Sequence, residues 1–161
     1  MIRGIHHTAI STADLPRAIA FYRDVLGFEE ILDYDWPEGT ANMNATHKLA
    51  ETSGRVVLLR AGNAMLELFE YATPTPRPAT DRRLCDLGIT HFCIDVDDID
   101  AEYARLRAGG MEFHCPPVDY GTVKTTYGRD PDGNTIELQE IKSPDDPLAL
   151  AVHEAASRSG S

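Results

Sequence analysis

A chain of 161 residues, 42% apolar and 25% charged, suffices for one compact domain or two small modules sharing a core, with the balance of an ordinary soluble protein. Its net charge of −11 argues against nucleic acid and membrane surfaces as partners, because both are polyanions. No apolar run approaches the roughly 20 residues needed to cross a bilayer, Met1-Ile2-Arg3-Gly4 lacks the shape of a secretory signal, and Cys85, Cys93 and Cys115 have no paired spacing, so a reducing, cytoplasmic location is expected.

Residues 4–12 read as a strand with His7, Ala9 and Ser11 on one face and Thr8 and Ile10 on the other. Asp14 can cap a following helix and Pro16 fits its first turn. Leu15, Ala18, Ile19, Tyr22 and Val25 then recur at helical spacing until Gly27 ends the run, and a return strand is expected over 28–34. Residues 35–53, with Trp36, Pro37, Gly39, Asn42, Asn44 and His47, lack periodicity. They read as a long loop or partly folded excursion, which in a compact protein often serves function. Strands are expected over 55–60 and 64–71, joined by the turn Ala61-Gly62-Asn63, and Pro74, Pro76 and Pro78 mark a linker over 73–87. The order then repeats: a strand over 88–96, a helix capped by Asp97 or Asp98 with Ile99, Tyr103 and Leu106 apolar, and a stop at Gly109-Gly110. Strands over 111–115 and 122–128, the turn Asp130-Pro131-Asp132-Gly133 and a strand over 134–141 follow. Residues 143–161 read as a tail with a short helix at 148–156.

The two halves match in detail. Gly4-Ile5-His6-His7-Thr8-Ala9-Ile10 corresponds to Gly88-Ile89-Thr90-His91-Phe92-Cys93-Ile94, Asp14-Leu15 to Asp98-Ile99, and Leu66-Glu67-Leu68 to Ile136-Glu137-Leu138. The expected fold is α+β: two paired βαβββ modules, 4–72 and 88–141, within a domain spanning 1–142. A helix can cover only one face of so small a sheet, so the other faces should form an open cleft. Strand alternation puts the apolar neighbours of Glu67 and Glu137 under the helices, and His7, Glu67, His91 and Glu137 in that cleft. A single strand His is ordinarily a hydrogen-bonded structural residue, and a single Glu between apolar residues the solvent face of a strand. Four at repeat-matched positions favour one shared divalent metal, which would relieve the repulsion of two carboxylates in one cleft. Imidazole with carboxylate suits Zn, Ni, Co, Mn or Fe.

The segments His6-His7-Thr8-Ala9-Ile10, Phe21-Tyr22-Arg23-Asp24-Val25-Leu26-Gly27-Phe28, Gly88-Ile89-Thr90-His91 and Asp130-Pro131-Asp132-Gly133-Asn134-Thr135-Ile136-Glu137 resemble signatures of the vicinal oxygen chelate superfamily. That superfamily includes glyoxalase I, methylmalonyl-CoA epimerase, extradiol dioxygenases and bleomycin- or fosfomycin-resistance proteins. The resemblance covers roughly residues 4–141. It implies glyoxalase-like paired modules, a homodimer, and metal ligands at His7, Glu67, His91 and Glu137. The implied cofactor is one divalent metal ion per site (Zn, Ni, Co or Mn), and the implied substrate a small molecule with chelating oxygens. The implied reaction is a lyase, isomerase or epimerase step through a metal-chelated enediolate. Glu137 or Glu67 would be the catalytic proton carrier, with Glu137 favoured by the resemblance alone.

The chain also departs from the pattern. Ser11 stands where bacterial glyoxalase I has an Arg that helps hold glutathione, and the 35–53 excursion is extra. The second acid/base Glu of the epimerase is not placed; Glu51 lies near in sequence. An extradiol-type dioxygenase is the rival reading, with Fe held by His7, His91 and Glu137; it leaves Glu67 surplus and its further catalytic His unfound. A small-molecule-binding or antibiotic-resistance protein comes next, although drug-sequestering members generally lack the metal ligands. Candidate substrate contacts are Trp36, Tyr120, Lys124 and Tyr127, with Arg77, Arg82 and Arg83 as further anion binders. His6 and His114 read as ordinary structural histidines.

Overall fold

Each repeat opens with a strand that turns at an aspartate into a helix, and the two turns are built alike. In the computed structural model, which describes residues 1–77 and 82–150, β1 (His7–Ser11) leads to α1 (Leu15–Ile19). The Asp14 carboxylate accepts from the Arg17 amide at 3.0 Å, and Glu70 accepts from the Leu15 amide at 3.0 Å. In the second repeat, β5 (Phe92–Asp95) leads to α3 (Ile99–Ala108). Asp98 accepts from the Ala101 amide at 3.0 Å and Glu140 from the Ile99 amide at 3.0 Å. Carboxylates satisfy amides that the first helical turn leaves unpaired, where the helix dipole favours negative charge.

The first helix continues as a π-helical stretch over Ala20–Val25, closed by the Leu26 amide on the Phe21 carbonyl at 3.0 Å. The chain leaves both helices through glycines at positive φ, Gly27 at +81° and Gly110 at +96°, a conformation that costs other residues energy. β2 (Glu29–Trp36), α2 (Ala41–His47), β3 (Ser53–Ala61) and β4 (Ala64–Thr73) complete the first module. β6 (Glu112–Phe113), β7 (Val118–Asp119), β8 (Val123–Arg129) and β9 (Thr135–Ile141) complete the second. The sheets run β1-β4-β3-β2 and β5-β9-β8-β6, with β7 also on β8. β1 lies parallel to β4, and β5 parallel to β9; the other pairings are antiparallel.

Several expectations shift. The excursion at 35–53 contains α2, and β2 extends through Trp36. β5 is shorter than the expected 88–96. β6 and β7 are two pieces of one interrupted strand on β8, parted at Pro116-Pro117, which have no amide to offer a ladder. The middle of the linker, 78–81, and most of the expected tail helix lie outside the described residues. Among the described residues no helix is long and apolar enough to cross a membrane.

One core serves both modules. Leu15, Ala18, Phe21 and Tyr22 from the first helix, and Leu66 and Leu68 from β4, join Ile99 and Leu106 from α3 and Ile136 and Leu138 from β9 in a single buried cluster. Polar ties cross the same boundary. The buried Tyr22 hydroxyl donates to Asp130 at 2.7 Å, and Asp132 accepts from Thr12 at 2.6 Å and from Arg17 at 2.5 Å. The Arg105 guanidinium donates to the Val25 carbonyl at 2.5 Å. The modules therefore meet through their helix-covered faces. The opposite face of each sheet turns away from this core and stays open.

Candidate metal centre

Alternation along β4 puts Leu66 and Leu68 in the core and Glu67 on the open face; β9 does the same with Ile136, Leu138 and Glu137. On β1, Ala9 is in register with Glu67 and His7 lies two residues back on the same face. On β5, Cys93 is in register with Glu137, and His91 stands two residues back. The diagonal brings His7 Nε2 to 3.2 Å from Glu67 Oε2, and His91 Nε2 to 3.1 Å from Glu137 Oε2. The same approach of ring nitrogen to carboxylate oxygen thus occurs once in each repeat.

The four side chains do not converge within one chain, contrary to the expectation of a shared cleft. Among the described residues no three His, Cys, Asp or Glu side chains are grouped so as to hold an ion. The reason lies in the packing: the helix-covered faces met each other, so the two pairs sit on open faces either side of a common core.

The other ring nitrogen of each histidine is also occupied. Thr90 Oγ1 lies 2.8 Å from His91 Nδ1, and His6 Nδ1 lies 2.9 Å from His7 Nδ1. An Nδ1 so engaged orients the ring and leaves Nε2 on the side of the carboxylate, the nitrogen that would serve as ligand. His6, read as an ordinary structural histidine, thus touches the His7 ring. The signal was present in the repeat, since His6 and Thr90 occupy the same place before the two histidines. Brought together, two imidazole nitrogens and two carboxylate oxygens would be a donor set that suits Zn, Ni, Co or Mn.

The surroundings of the two carboxylates differ. Glu137 Oε1 accepts from Thr125 Oγ1 at 2.6 Å. Tyr127, in register with Glu137, sets its ring edge-on to His91 at 5.3 Å between centroids. Burial and hydrogen bonding to Glu137 push the Tyr127 phenol up to about 12. The Cys93 thiol, although its surface meets solvent, is crowded on its inner side; that crowding, with the charges of Glu137 and Asp95, pushes it up to about 12. Around Glu67 the matching positions hold Ala9 and Leu58.

The other candidates fall elsewhere. Trp36 is 2% exposed and donates through Nε1 to Thr52 at 3.0 Å, so it anchors the α2 excursion and offers no surface to a substrate. Around it, Phe69, Tyr71 and His47 pack edge to face, and Tyr71 Oη meets His47 Nδ1 at 3.0 Å. Lys124 is engaged by Asp100 of α3, on the opposite side of β8 from Thr125, and does not reach the half-site. Tyr120 stands exposed in the turn between β7 and β8. Arg82 and Arg83 bond to nearby loop groups, Arg83 to Asp86 at 2.9 Å.

Residues 4–138 match the Glyoxalase/Bleomycin resistance protein/Dioxygenase superfamily. A probable lactoylglutathione lyase from Synechocystis is 30% identical over 142 residues, covering 87% of this chain and 97% of its own. A 2-epi-5-epi-valiolone epimerase from Actinomyces is 39% identical over 112 residues, covering 66% of this chain and 60% of the epimerase. The crystal structure of a glyoxalase family protein from Bacillus cereus superposes with a TM-score of 0.77 at 22% identity, covering 89% of this chain and 97% of that one. At that identity the likeness speaks for the fold, and it agrees with the paired βαβββ modules. With the repeat, the sheet order and the match over nearly the whole described chain in agreement, the protein belongs to the glyoxalase/bleomycin resistance protein/dioxygenase superfamily.

Proposed function

We propose that this protein is a divalent-metal enzyme that moves a proton on the carbon beside a carbonyl, as a lyase, isomerase or epimerase, and that two copies of the chain build its working site. The observation that carries this reading is the His–Glu pair found twice, ring nitrogen toward carboxylate, on faces that point away from each other. One pair offers two ligands. A second chain that set its His91 and Glu137 against His7 and Glu67 would complete four, and a two-fold axis would make two such sites. Ile2 and Ile5 precede β1, and Leu87 and Ile89 precede β5; all four are largely exposed and lie within five residues of His7 or His91 in the chain. Their burial is what the association would gain.

A divalent ion at these residues would supply a Lewis acid that polarises a substrate carbonyl and stabilises the negative charge left as the adjacent C–H is lost. Thr90 and His6 fix the imidazoles. Glu67 and Glu137 are the carboxylates within reach to accept and return a proton. Tyr127, its phenol held protonated well above neutrality, serves as a hydrogen-bond donor beside Glu137. The relatives named as a lyase and an epimerase support proton transfer over other chemistry. Ser11, in place of the glutathione-holding Arg, turns the substrate class toward small oxygen chelators without a glutathionyl arm.

Elemental analysis of tag-free protein by plasma mass spectrometry tests this first. Near-stoichiometric Zn, Ni, Co or Mn, lost together with activity on chelation, is the expected result. Stoichiometric Fe would replace proton transfer by the dioxygenase reading, and no metal uptake on titration would leave a binding protein. His7→Ala and His91→Ala should each lose the metal with the fold intact by circular dichroism; retained metal would remove these residues from the ligand set.

A further inference from the structure

The two half-sites share a backbone plan but not a setting, and the difference falls on the carboxylates. Glu137 Oε2 faces His91, while its other oxygen, Oε1, is held at 2.6 Å by the Thr125 hydroxyl, which also lies 2.8 Å from the Leu138 carbonyl. Of the two acceptors the charged carboxylate is the stronger. Thr125 is fixed on the adjacent strand, in register with Gln139, so its hydroxyl approaches Glu137 diagonally across the ladder. The matching position beside Glu67 is Val56, in register with Phe69, and it has no hydroxyl to offer. The Glu137 side chain is 13% exposed and that of Glu67 25% exposed, in keeping with the tighter hold on Glu137.

We propose that Thr125 is a positioning residue: it pins Glu137 Oε1 and so presents a single oxygen, Oε2, to a cation, which makes Glu137 the fixed carboxylate of the site and leaves Glu67 the freer one. This rests on the metal reading above. A carboxylate held at one oxygen loses its freedom before the ion arrives and keeps its lone pair directed, which strengthens binding. Glu67, without that tether, retains the freedom to swing that a proton carrier uses.

The test is Co2+ and Zn2+ affinity, measured by competition with a chromophoric chelator on the full-length protein. The variants are Thr125→Val, which keeps the shape and removes the hydroxyl, and Thr125→Ser, which keeps the hydroxyl. The expected result is a ~10–100-fold loss of affinity in T125V, the range for lost outer partners of metal ligands, with T125S close to wild type. Circular dichroism and thermal melting of both variants separate this from a folding defect, since a merely structural role would lower the melting temperature of T125V without selective loss of metal. Wild-type protein that binds metal, with T125V binding as tightly, overturns the positioning role alone. Wild-type protein that takes up no metal overturns the metal reading and the positioning role with it.

Discussion

At the candidate centre, the proposed chemistry turns on the neighbours of the two histidines. Thr90 and His6 each engage the Nδ1 of the histidine that follows, so that Nε2 faces its glutamate. A Thr90→Val substitution should keep the strand and release the ring. The expected effect is a ~10–100-fold weaker hold on Zn2+ with an unchanged circular dichroism spectrum, read by chelator competition. An unchanged affinity would show that packing against Tyr127 alone fixes the ring. The two His–Glu pairs were legible in the sequence because period-two alternation and a repeat each constrain which face a side chain occupies. Their supports were harder to see. Thr125 reaches Glu137 across the β8–β9 hairpin that the Asp130–Gly133 turn announces, but through a register, Thr125 against Gln139, that the turn signal alone does not fix.

Among the elements, the α2 excursion shows where sequence patterning gives out. Ala41–His47 carries no apolar stripe and buries none of its side chains, so it has no helical period to read. It is held from outside. Asn44 accepts from the Thr52 amide at 2.7 Å, and His47 packs edge-on against Trp36 and Phe69. Trp36 in turn lies against Gly54, where an added Cβ would fall 2.3 Å from the Glu70 carbonyl and 2.7 Å from the indole ring. Gly54→Ala should therefore cost ~1–3 kcal/mol through overpacking, measured by urea unfolding. If the clash is local to the excursion, the Trp36 fluorescence should shift in the native state as well. A cost near zero would mean that β3 and β4 can part at this point without consequence. Glu70 and Glu140 were also silent in the sequence as helix caps. Their role depends on a strand ending beside a helix that begins 55 and 41 residues earlier.

For the whole molecule, the decisive fact is which faces meet. Alternation shows that Leu66 and Ile136 share one side and Glu67 and Glu137 the other. It does not show whether two modules will join through their helices or through their open sheets. Tyr22 marks the answer: wholly buried at the junction, with its hydroxyl on Asp130. Burial, followed by the charge of Asp130, raises its phenol far above the ordinary value. In the unfolded chain this phenol ionises near pH 10, about 10 being the usual value, while in the fold it stays protonated. Above that pH the native state binds the extra proton, so stability is present below and falls as pH rises, by ~1.4 kcal/mol per unit for this one group. Tyr22→Phe should lose ~1.5–3 kcal/mol at pH 7, because a buried carboxylate loses a donor, yet show a shallower decline above pH 10. Urea unfolding across pH 7–11 measures both, and parallel curves for the two proteins would assign the alkaline slope to other groups.

The outward facing of the two pairs has a genetic consequence. Under the shared centre proposed above, a chain damaged in its first pair still lends an intact second pair to its mate, and the converse holds for damage in the second. Protein carrying His7→Ala and protein carrying His91→Ala should each be inert alone. Unfolded and refolded together in equal amounts, half of the dimers would be mixed, and each mixed dimer would hold one whole centre and one doubly broken one. About a quarter of the wild-type activity and metal content should return from two dead proteins, whereas a site confined to single chains would regain nothing.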